Sequence, residues 1–299
     1  MKVLVTGSSG FIGKQVFDYL LKKKYDVYGV SRKPTNKKNI FKFSLNEKNK
    51  IIECFEKIQF DAIIHLASLV PSNHQIDPTK IFQNCKNTLN LLDCCRKFKV
   101  KKFVFAGAHL VYGKTQYLPI DENHSTIPTS NYGSVKLIEE NLCRMFYNTY
   151  KQNCIILRIS SVYGPTQPGR HIIPTMMKNV IENKSIFVNE FSNGLQLMDL
   201  IHVNDVCQAL ELACKTKEEF FVGNIASGKG ITAKEIARII SNISGNKKIH
   251  VQKIDEVTNH FIYDIENSAK ILKFRPKEKI DEKSLAKWYK ILEKEFKCK

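Results

Sequence analysis

Two side chains capable of acid–base chemistry, Tyr132 and Lys136, stand four positions apart in the sequence. On a helix this spacing places them on one face, about one turn from each other. A lysine ammonium beside a phenol stabilises the phenolate and lowers the pKa of the tyrosine toward the range of a general acid–base. The same spacing also occurs on helices without a catalytic role, so the surrounding pattern decides between the two interpretations.

A glycine pattern at the start of the chain supplies such a context. A short apolar run over residues 2–6 leads directly into Gly7, Gly10 and Gly13. At a strand-to-helix turn, the first glycine permits the tight turn and the second lets a pyrophosphate approach the backbone, while the third lets the helix pack closely on the sheet. The N–H groups at the helix start then face the phosphates. The pattern predicts a dinucleotide site; a glycine loop without a ligand is the alternative.

The elements that would position these groups alternate between strands and helices through the first half of the chain. Apolar runs predict strands at residues 3–5, 27–30, 62–66, 103–106 and 155–157, and helical patterns lie between them at 82–98 and 132–150. Continuous apolar strands separated by helices predict a parallel sheet that is covered on both faces. Ligands of such sheets bind beyond the carboxyl ends of the strands.

The alternation loosens after Gly164-Pro165, where prolines and glycines interrupt the chain. Shorter helices are predicted at residues 174–182, 203–214, 233–244 and 283–296. We therefore predict an α/β protein with a dinucleotide-binding domain over residues 1–165. A smaller α/β substrate-binding region follows over 166–299. Segments within it, such as 199–230, belong either to this region or to the first domain.

Composition restricts the classes of partner. The chain has 299 residues and a formal net charge of +18, but its lysines form short pairs and no basic run is interleaved with aromatic residues. We expect a solvated surface that attracts phosphorylated small molecules, with nucleic-acid binding as the alternative. No run of eighteen apolar residues and no leader pattern are present, which predicts a cytoplasmic protein without a membrane partner. Nine cysteines without a C-x-x-C pair predict buried thiols rather than disulfides or a metal site.

These patterns and several others, in the same order, resemble the extended short-chain dehydrogenase/reductase family, the group of NAD(P)-dependent nucleotide-sugar epimerases, dehydratases and reductases. The resemblance covers nearly the whole chain. Its strings are Thr6 to Gly13, Asp61 to Ala67, Asn84 to Leu92, Val111-Tyr112-Gly113, Tyr132-x-x-x-Lys136, Leu157 to Pro165 and Asp199 to Val206. It implies a Rossmann-type doubly wound parallel sheet, with Tyr132 as the catalytic acid–base and Lys136 as its partner and ribose ligand.

We assign the cofactor contacts to the glycine turn and to the ends of the second and third apolar strands, together with the catalytic pair. The assigned residues are Gly7, Ser9, Gly10, Phe11, Ile12, Gly13, Ser31, Arg32, Lys33, Leu66, Ala67, Tyr132 and Lys136. At the end of the second strand an NAD site usually presents an Asp or Glu to the ribose 2′-hydroxyl. The chain has Ser31 there, followed by two cations suited to a 2′-phosphate. We therefore predict NADP, with NAD as the alternative.

The chain departs from the family beside the predicted reaction centre. Three residues before Val-Tyr-Gly, where the family has Ser or Thr, stands Ala108. Loss of one such hydrogen-bond donor costs about a hundred- to a thousandfold in rate. The dehydratases of the family continue with Asp-Glu, whereas this chain has His109 and Leu110. We therefore expect no 4,6-dehydration by that route.

Further departures concern the diphosphate. Many members clamp the diphosphate with two arginines. This chain has Met198 at the position of one of them, and its segment near Asp255, where the other is expected, has no arginine. The usual Asn before Val-Tyr-Gly-Pro is Ser161, and Arg170 is a possible anion contact. We assign the substrate contacts to Ala108, His109, Ser161 and Arg170.

The sequence thus predicts an NADPH-dependent reductase of a nucleotide-linked keto-sugar, in which Tyr132 is the general acid. The first alternative is an NAD(P)-dependent nucleotide-sugar epimerase, which would recycle its cofactor. The second is a cofactor-binding protein with little catalysis, which Ala108 favours and the retained Tyr132 and Lys136 oppose. The apolar faces of helices 82–98 and 132–150 predict a homodimer, unless they belong to the core.

Overall fold

A central parallel β-sheet with helices on both faces organises the protein. The computed structural model describes residues 1–32, 39–70, 78–245 and 248–297. Its strands are β1 (Lys2–Thr6), β2 (Asp26–Ser31), β3 (Ile40–Lys42), β4 (Ala62–His65), β5 (Lys102–Ala108), β6 (Cys154–Ile159), β7 (Ser161–Tyr163), β8 (Ile186–Phe191), β9 (Leu197–His202), β10 (Phe220–Ile225), β11 (Gly230–Thr232) and β12 (Ile249–Ile254). Its α-helices are α1 (Phe11–Lys22), α2 (Lys48–Lys57), α3 (Pro78–Lys97), α4 (Asn131–Tyr150), α5 (Ile172–Ile181), α6 (Val203–Lys215), α7 (Ala233–Ser244), α8 (Glu266–Ile271) and α9 (Glu282–Lys297).

The strand order of the seven-stranded sheet is β3-β2-β1-β4-β5-β6-β10, and all neighbouring pairs are parallel. The chain runs outward from β1 in one direction and then outward from β4 in the other. This reversal between β1 and β4 is the topological switch point of a doubly wound sheet, where ligands bind. The predicted fold class is confirmed, and the five strands predicted for the first half all lie in this sheet.

The alternation of side chains along β1 explains why helices cover both faces of the sheet. Val3 and Val5 lie in one buried apolar cluster with residues of α1 and α6, while Leu4 lies in another with residues of α2, α3 and α4. Because both faces are apolar, neither can remain in water, and the strands consist of continuous apolar runs. The sheet is thereby fixed between two layers of helices, and the loops that position the site follow the carboxyl ends of its strands.

Two smaller sheets and three helices form the remainder of the chain. Strands β7, β9 and β11 form one sheet, and β8 pairs with β12 in the other. Helices α5, α7 and α9 surround an apolar cluster that contains Trp288. Strand β10 pairs with β6 in the central sheet, and α6 packs against α1. The chain from 199 to 230 therefore contributes both to the central sheet and to the smaller β7-β9-β11 sheet.

Within the described ranges, none of the helices has both the length and the apolar character that crossing a membrane requires. Eight cysteines fall in these ranges, and all of them are free thiols. Seven are buried and Cys85 is half-buried. Cys298 lies outside the described residues.

Candidate active site

The glycine turn lies between β1 and α1, and its three glycines serve different purposes. Gly7 has a positive φ of +68°, and a Cβ there would stand 2.8 Å from the backbone nitrogen of Ala67. A Cβ on Gly13 would stand only 2.1 Å from the carbonyl oxygen of Gly7. A Cβ on Gly10 would meet only that same oxygen, at 3.3 Å. Gly7 and Gly13 are therefore required by the protein's own packing, whereas Gly10 leaves open space in front of the turn.

The first turn of α1 offers its backbone to that space. Gly10 is the N-cap residue, and no side chain caps the helix. The N–H groups of Phe11 and Ile12 are among those that have no acceptor within a helix, and they carry the positive end of its dipole. Phe11 and Ile12 are thus placed to act through their backbone. This arrangement fits the pyrophosphate of a dinucleotide.

A cavity of about 280 Å³ opens beyond the carboxyl ends of β1, β2 and β4. Seven of the predicted cofactor residues line it: Gly7, Ser9, Gly10, Ser31, Arg32, Leu66 and Ala67. Lys33, also predicted here, lies outside the described residues. No Asp or Glu is found among the described residues that line this cavity, and the end of β2 presents Ser31 and Arg32 to it.

The cavity also contains residues that sequence reasoning did not assign. They are Val30, the segment from Phe43 to Asn46, Ser68, Leu69, Gln83, Asn84 and Asn87. The buried Asn84 accepts a hydrogen bond from the backbone N–H of Leu69 at 2.8 Å and donates to its carbonyl at 3.2 Å. The asparagine therefore holds the chain segment that follows Ala67. In the sequence, the string from Asn84 to Leu92 indicates the family but does not indicate that Asn84 binds this segment.

Tyr132 and Lys136 lie on one face of α4, as their spacing predicts. The hydroxyl of Ser130 caps this helix by accepting from the N–H of Gly133 at 3.1 Å. Tyr132 is half-buried at the start of the helix, whereas Lys136 is buried. The Lys136 Nζ lies 5.8 Å from the centre of the Tyr132 ring.

The ammonium of Lys136 is held by three further contacts. It donates to the carbonyl oxygen of Ala106 at 3.2 Å, lies 4.5 Å from the centre of the Phe105 ring and forms an ion pair of 3.1 Å with Glu139. Burial acts to lower the pKa of Lys136, but the Glu139 carboxylate and the Tyr132 phenol outweigh it, and the pKa is raised. Lys136 is thus a fixed positive charge next to the phenol.

The predicted substrate residues Ala108 and His109 lie beside the start of this helix. A Cβ on Gly133 would stand 2.5 Å from the carbonyl oxygen of Leu110, so the first turn of α4 packs directly on the short 3₁₀ helix His109–Val111. The side chain of Ala108 is buried and is a methyl group without a donor. No hydroxyl therefore stands at this position, in agreement with the sequence.

His109 connects this segment to two other parts of the chain. Its Nδ1 lies 2.7 Å from the hydroxyl of Tyr263, and its Nε2 lies 3.4 Å from the hydroxyl of Ser161. Burial lowers the pKa of His109 to about 4, so the imidazole is neutral near pH 7. Ser161 is exposed at the beginning of β7. His109 thus lies between Ser161 and Tyr263, and Tyr263 is a partner that the sequence does not reveal.

Behind α4, a buried ion pair fixes the helix to the sheet. Arg158 on β6 donates to both carboxylate oxygens of Glu140, with distances of 3.2 Å to each from Nε and 2.9 Å to Oε2 from Nη2. Burial acts to lower the pKa of Arg158, but Glu140 outweighs it and raises the pKa. The arginine of the Leu157-Arg158 string is therefore a structural support and is not aimed at a ligand.

Arg170, the fourth predicted substrate residue, lies elsewhere. It lines a second cavity, of about 510 Å³, together with residues of α5, β8 and β9. Met198 lines the same cavity, at the position where many members of the resembled family have an arginine. Arg170 is the one charged side chain among the described residues of this lining. The structure therefore leaves a single cation here, where the resemblance leads one to expect an arginine clamp.

Comparison with known proteins identifies the class to which this fold and site belong. The model of the NAD dependent epimerase/dehydratase family matches residues 3–226. The chain belongs to this family, and it is an NAD-dependent enzyme of the extended short-chain dehydrogenase type. The predicted resemblance is thereby confirmed.

Individual relatives point within the family to the epimerases. A Methanocaldococcus jannaschii protein named "Putative UDP-glucose 4-epimerase" is 32% identical over 260 residues, which cover 81% of this chain and 82% of the relative. The crystal structure of a UDP-glucose 4-epimerase from Thermotoga maritima, with UDP-glucose, has a TM-score of 0.88 at 25% identity and covers 99% of this chain and 100% of its own. A Thermus thermophilus UDP-glucose 4-epimerase in complex with NAD shares the fold, with a TM-score of 0.84 at 24% identity, covering 97% of this chain and 99% of its own. These comparisons favour the epimerase alternative over the keto-sugar reductase.

Proposed function

We propose that this enzyme interconverts two epimers of a nucleotide-linked sugar, with a UDP-hexose as the substrate class, and leaves its cofactor unchanged after each turnover. The observation that carries the proposal is the pairing of Tyr132 with the buried ammonium of Lys136, at the carboxyl edge of the dinucleotide-binding sheet. The similarity to UDP-glucose 4-epimerases selects epimerisation among the reactions that such a pair can support.

The proposed roles follow from the chemistry of each group. The Tyr132 phenolate removes the proton from a sugar hydroxyl and returns it after the carbon has been inverted. Lys136 keeps its charge and stabilises the phenolate between these two events. A nicotinamide cofactor bound at the glycine turn would supply the reversible hydride chemistry of this reaction. Phe11 and Ile12 would hold the pyrophosphate of the cofactor through their backbone N–H groups.

The site does not support dehydration. Elimination of water from the sugar requires an acid and a base near the leaving hydroxyl. The positions after Ala108 carry a neutral histidine and Leu110, neither of which is a carboxylate. His109 is moreover bound to Tyr263 and Ser161 and does not stand alone.

Ala108 has no hydroxyl, so the contact with the reacting sugar falls to another group. We assign this contact to Ser161, because its hydroxyl is exposed and lies 3.4 Å from Nε2 of His109, the residue after Ala108. We assign the substrate phosphates to Arg170 in the second cavity, as a single cation in place of a pair. One guanidinium can still form a bidentate contact with a phosphate.

For the cofactor, the family is NAD-dependent, and the residues at the end of β2 support acceptance of NADP as well. Ser31 and Arg32 line the cavity, and a 2′-phosphate would find the Arg32 guanidinium there. We therefore propose that NADP binds at least as tightly as NAD.

We also propose that α3 and α4 form a homodimer interface. Phe82 and Leu89 on α3 are 53% and 42% exposed, and Ile138 and Met145 on α4 are 38% and 43% exposed. Each pair is separated by seven residues, which places its members on one helix face, and the two helices pack side by side. Light scattering should give the mass of two chains, and Met145→Glu should give one; a monomeric wild type would refute the interface.

The function is tested by incubating the protein with UDP-glucose and catalytic amounts of NAD or NADP and following the sugar protons by NMR. The proposal expects the 4-epimer to accumulate to a fixed equilibrium ratio, reached equally from either epimer, without net formation of reduced cofactor. Stoichiometric oxidation of NADPH with a keto-sugar, and no interconversion of UDP-hexoses or their N-acetyl forms, would overturn it in favour of the reductase.

A further inference from the structure

A continuous line of buried polar groups runs from the glycine turn to the catalytic lysine. Thr6 Oγ1 lies 2.7 Å from His65 Nδ1, and His65 Nε2 lies 3.0 Å from Thr88 Oγ1. Thr88 Oγ1 lies 2.5 Å from Glu139 Oε1, and Glu139 Oε2 contacts the Lys136 ammonium at 3.1 Å. These side chains come from β1, β4, α3 and α4, and each of them is buried.

The chemistry of the groups fixes the direction of every hydrogen bond in this line. A carboxylate only accepts, so Thr88 donates its one hydroxyl proton to Glu139. Thr88 must then accept from His65 Nε2–H. Burial, followed by the charge of Lys136, lowers the pKa of His65 to about 3, so the ring is neutral and its Nδ1 accepts from the Thr6 hydroxyl. Thr6 in turn accepts from the backbone N–H of Ala67 at 3.2 Å.

One end of this line adjoins the cofactor cavity, and the other adjoins Tyr132. Ala67 lines the cofactor cavity, and its backbone packs against Gly7. Lys136 faces Tyr132. The buried carboxylate of Glu139 therefore accepts a hydrogen bond from Thr88 at Oε1, and its Oε2 is in ion-pair contact with the Lys136 ammonium on the other side.

We propose that Glu139 is a positioning residue that shares the Lys136 ammonium with the Tyr132 phenol, and that it thereby sets the pH range in which the phenol gives up its proton. This rests on the acid–base role proposed for Tyr132. A carboxylate that neutralises the ammonium weakens the field that stabilises the phenolate, and it also keeps the lysine protonated in a buried place.

The other titratable groups that face this pair do not compete for this role. His65 on β4 is neutral. Burial raises the pKa of Cys85 on α3 to about 11, and burial also raises the pKa of Cys143 on α4. Glu140, the next residue on α4, is bound to Arg158 on the opposite side. Glu139 is thus the carboxylate that contacts Lys136.

The test compares Glu139→Gln with Glu140→Gln, a matched control that removes a buried carboxylate one position away. For each protein, the phenolate absorbance of Tyr132 is titrated as the difference from the same protein carrying Tyr132→Phe. This readout requires no turnover. The acid limb of the pH–rate profile for epimerisation is the second readout.

We expect Glu139→Gln to move the phenolate titration and the acid limb down by about one pH unit or more, because the unshared ammonium favours the phenolate. Glu140→Gln should lower stability but leave the Tyr132 titration and the acid limb of the pH–rate profile unchanged. Glu139→Met, which is close in shape and uncharged, should act like Glu139→Gln and serves if the glutamine variant does not fold. The proposal would be overturned if the Tyr132 titration did not move in a folded Glu139→Gln or Glu139→Met protein. It would also be overturned if Glu140→Gln moved the titration equally. A shifted titration in a protein without epimerase activity would instead refute only the proposed function.

Discussion

The three glycines of the first turn should respond differently to the same added methyl group. In Gly13→Ala the new Cβ would stand 2.1 Å from the Gly7 carbonyl oxygen and 2.8 Å from its carbon. These distances are about 1 Å short of van der Waals contact, and both partners belong to the backbone. In Gly10→Ala the Cβ would meet only one atom, at 3.3 Å, and the φ of −78° suits alanine.

The magnitudes follow from these contacts. Overpacking costs about 1–3 kcal/mol, of which alanine's higher helix propensity returns up to about 1 kcal/mol. We expect Gly13→Ala to lose about 1–2 kcal/mol of unfolding free energy, a fall in Tm of at least about 2 °C. Gly10→Ala should stay within about 1 kcal/mol of the wild type. Its methyl group fills the space of the pyrophosphate, however, so dinucleotide affinity should fall at least about tenfold, or about 1.4 kcal/mol.

Thermal unfolding of the cofactor-free proteins and calorimetric titration with NAD and NADP give both quantities for each variant. Wild-type affinity in Gly10→Ala would refute the placement of the pyrophosphate at this turn. Wild-type stability in Gly13→Ala would refute the close packing of α1 on Gly7.

Three further predictions concern the remaining groups of the site. Ser161→Ala should lower kcat by about a hundred- to a thousandfold in an epimerase assay, because it removes the donor assigned to the reacting sugar, and Ala108→Ser in that variant should restore part of the loss; an unchanged kcat in Ser161→Ala would contradict the assignment. Arg32→Ala should weaken NADP binding by about tenfold and leave the Kd for NAD within about threefold, as measured by calorimetry; equal losses would contradict the 2′-phosphate contact. Because the unfolded chain binds a proton on His65 near pH 6.5 and the folded chain only near pH 3, stability should be complete above pH 6.5 and fall by several kcal/mol toward pH 3. Denaturant titrations should show a flatter pH dependence in His65→Gln, and an unchanged slope would contradict the buried neutral histidine.

The sequence predicted the central sheet well because its strands are buried on both faces and consist of apolar runs that periodicity detects. It did not predict β3, which has only three residues at the sheet edge, and half-buried or exposed side chains. It also could not assign β10 firmly to the sheet. The strand pairs with β6, where Phe220 lies opposite Cys154, and local patterns carry no information on a pairing between residues so far apart in the sequence.

The catalytic pair was predictable because both residues lie one turn apart on a single helix. Its surroundings were not. Glu139 and Glu140 look like the solvated face of a helix in the sequence, yet both are fully buried and bound to cations. Tyr263 contacts His109 across 154 positions, a distance that a single sequence does not bridge.

The central claim is that the Tyr132 phenol transfers the proton while the sugar carbon is inverted. The most direct test is the rate of UDP-glucose epimerisation by the wild type and by Tyr132→Phe, both at saturating cofactor and with the cofactor Kd measured in parallel. We predict a loss of at least about a hundredfold in kcat, with the Kd unchanged within about threefold. A Tyr132→Phe protein that retains the wild-type rate with cofactor bound would contradict the claim.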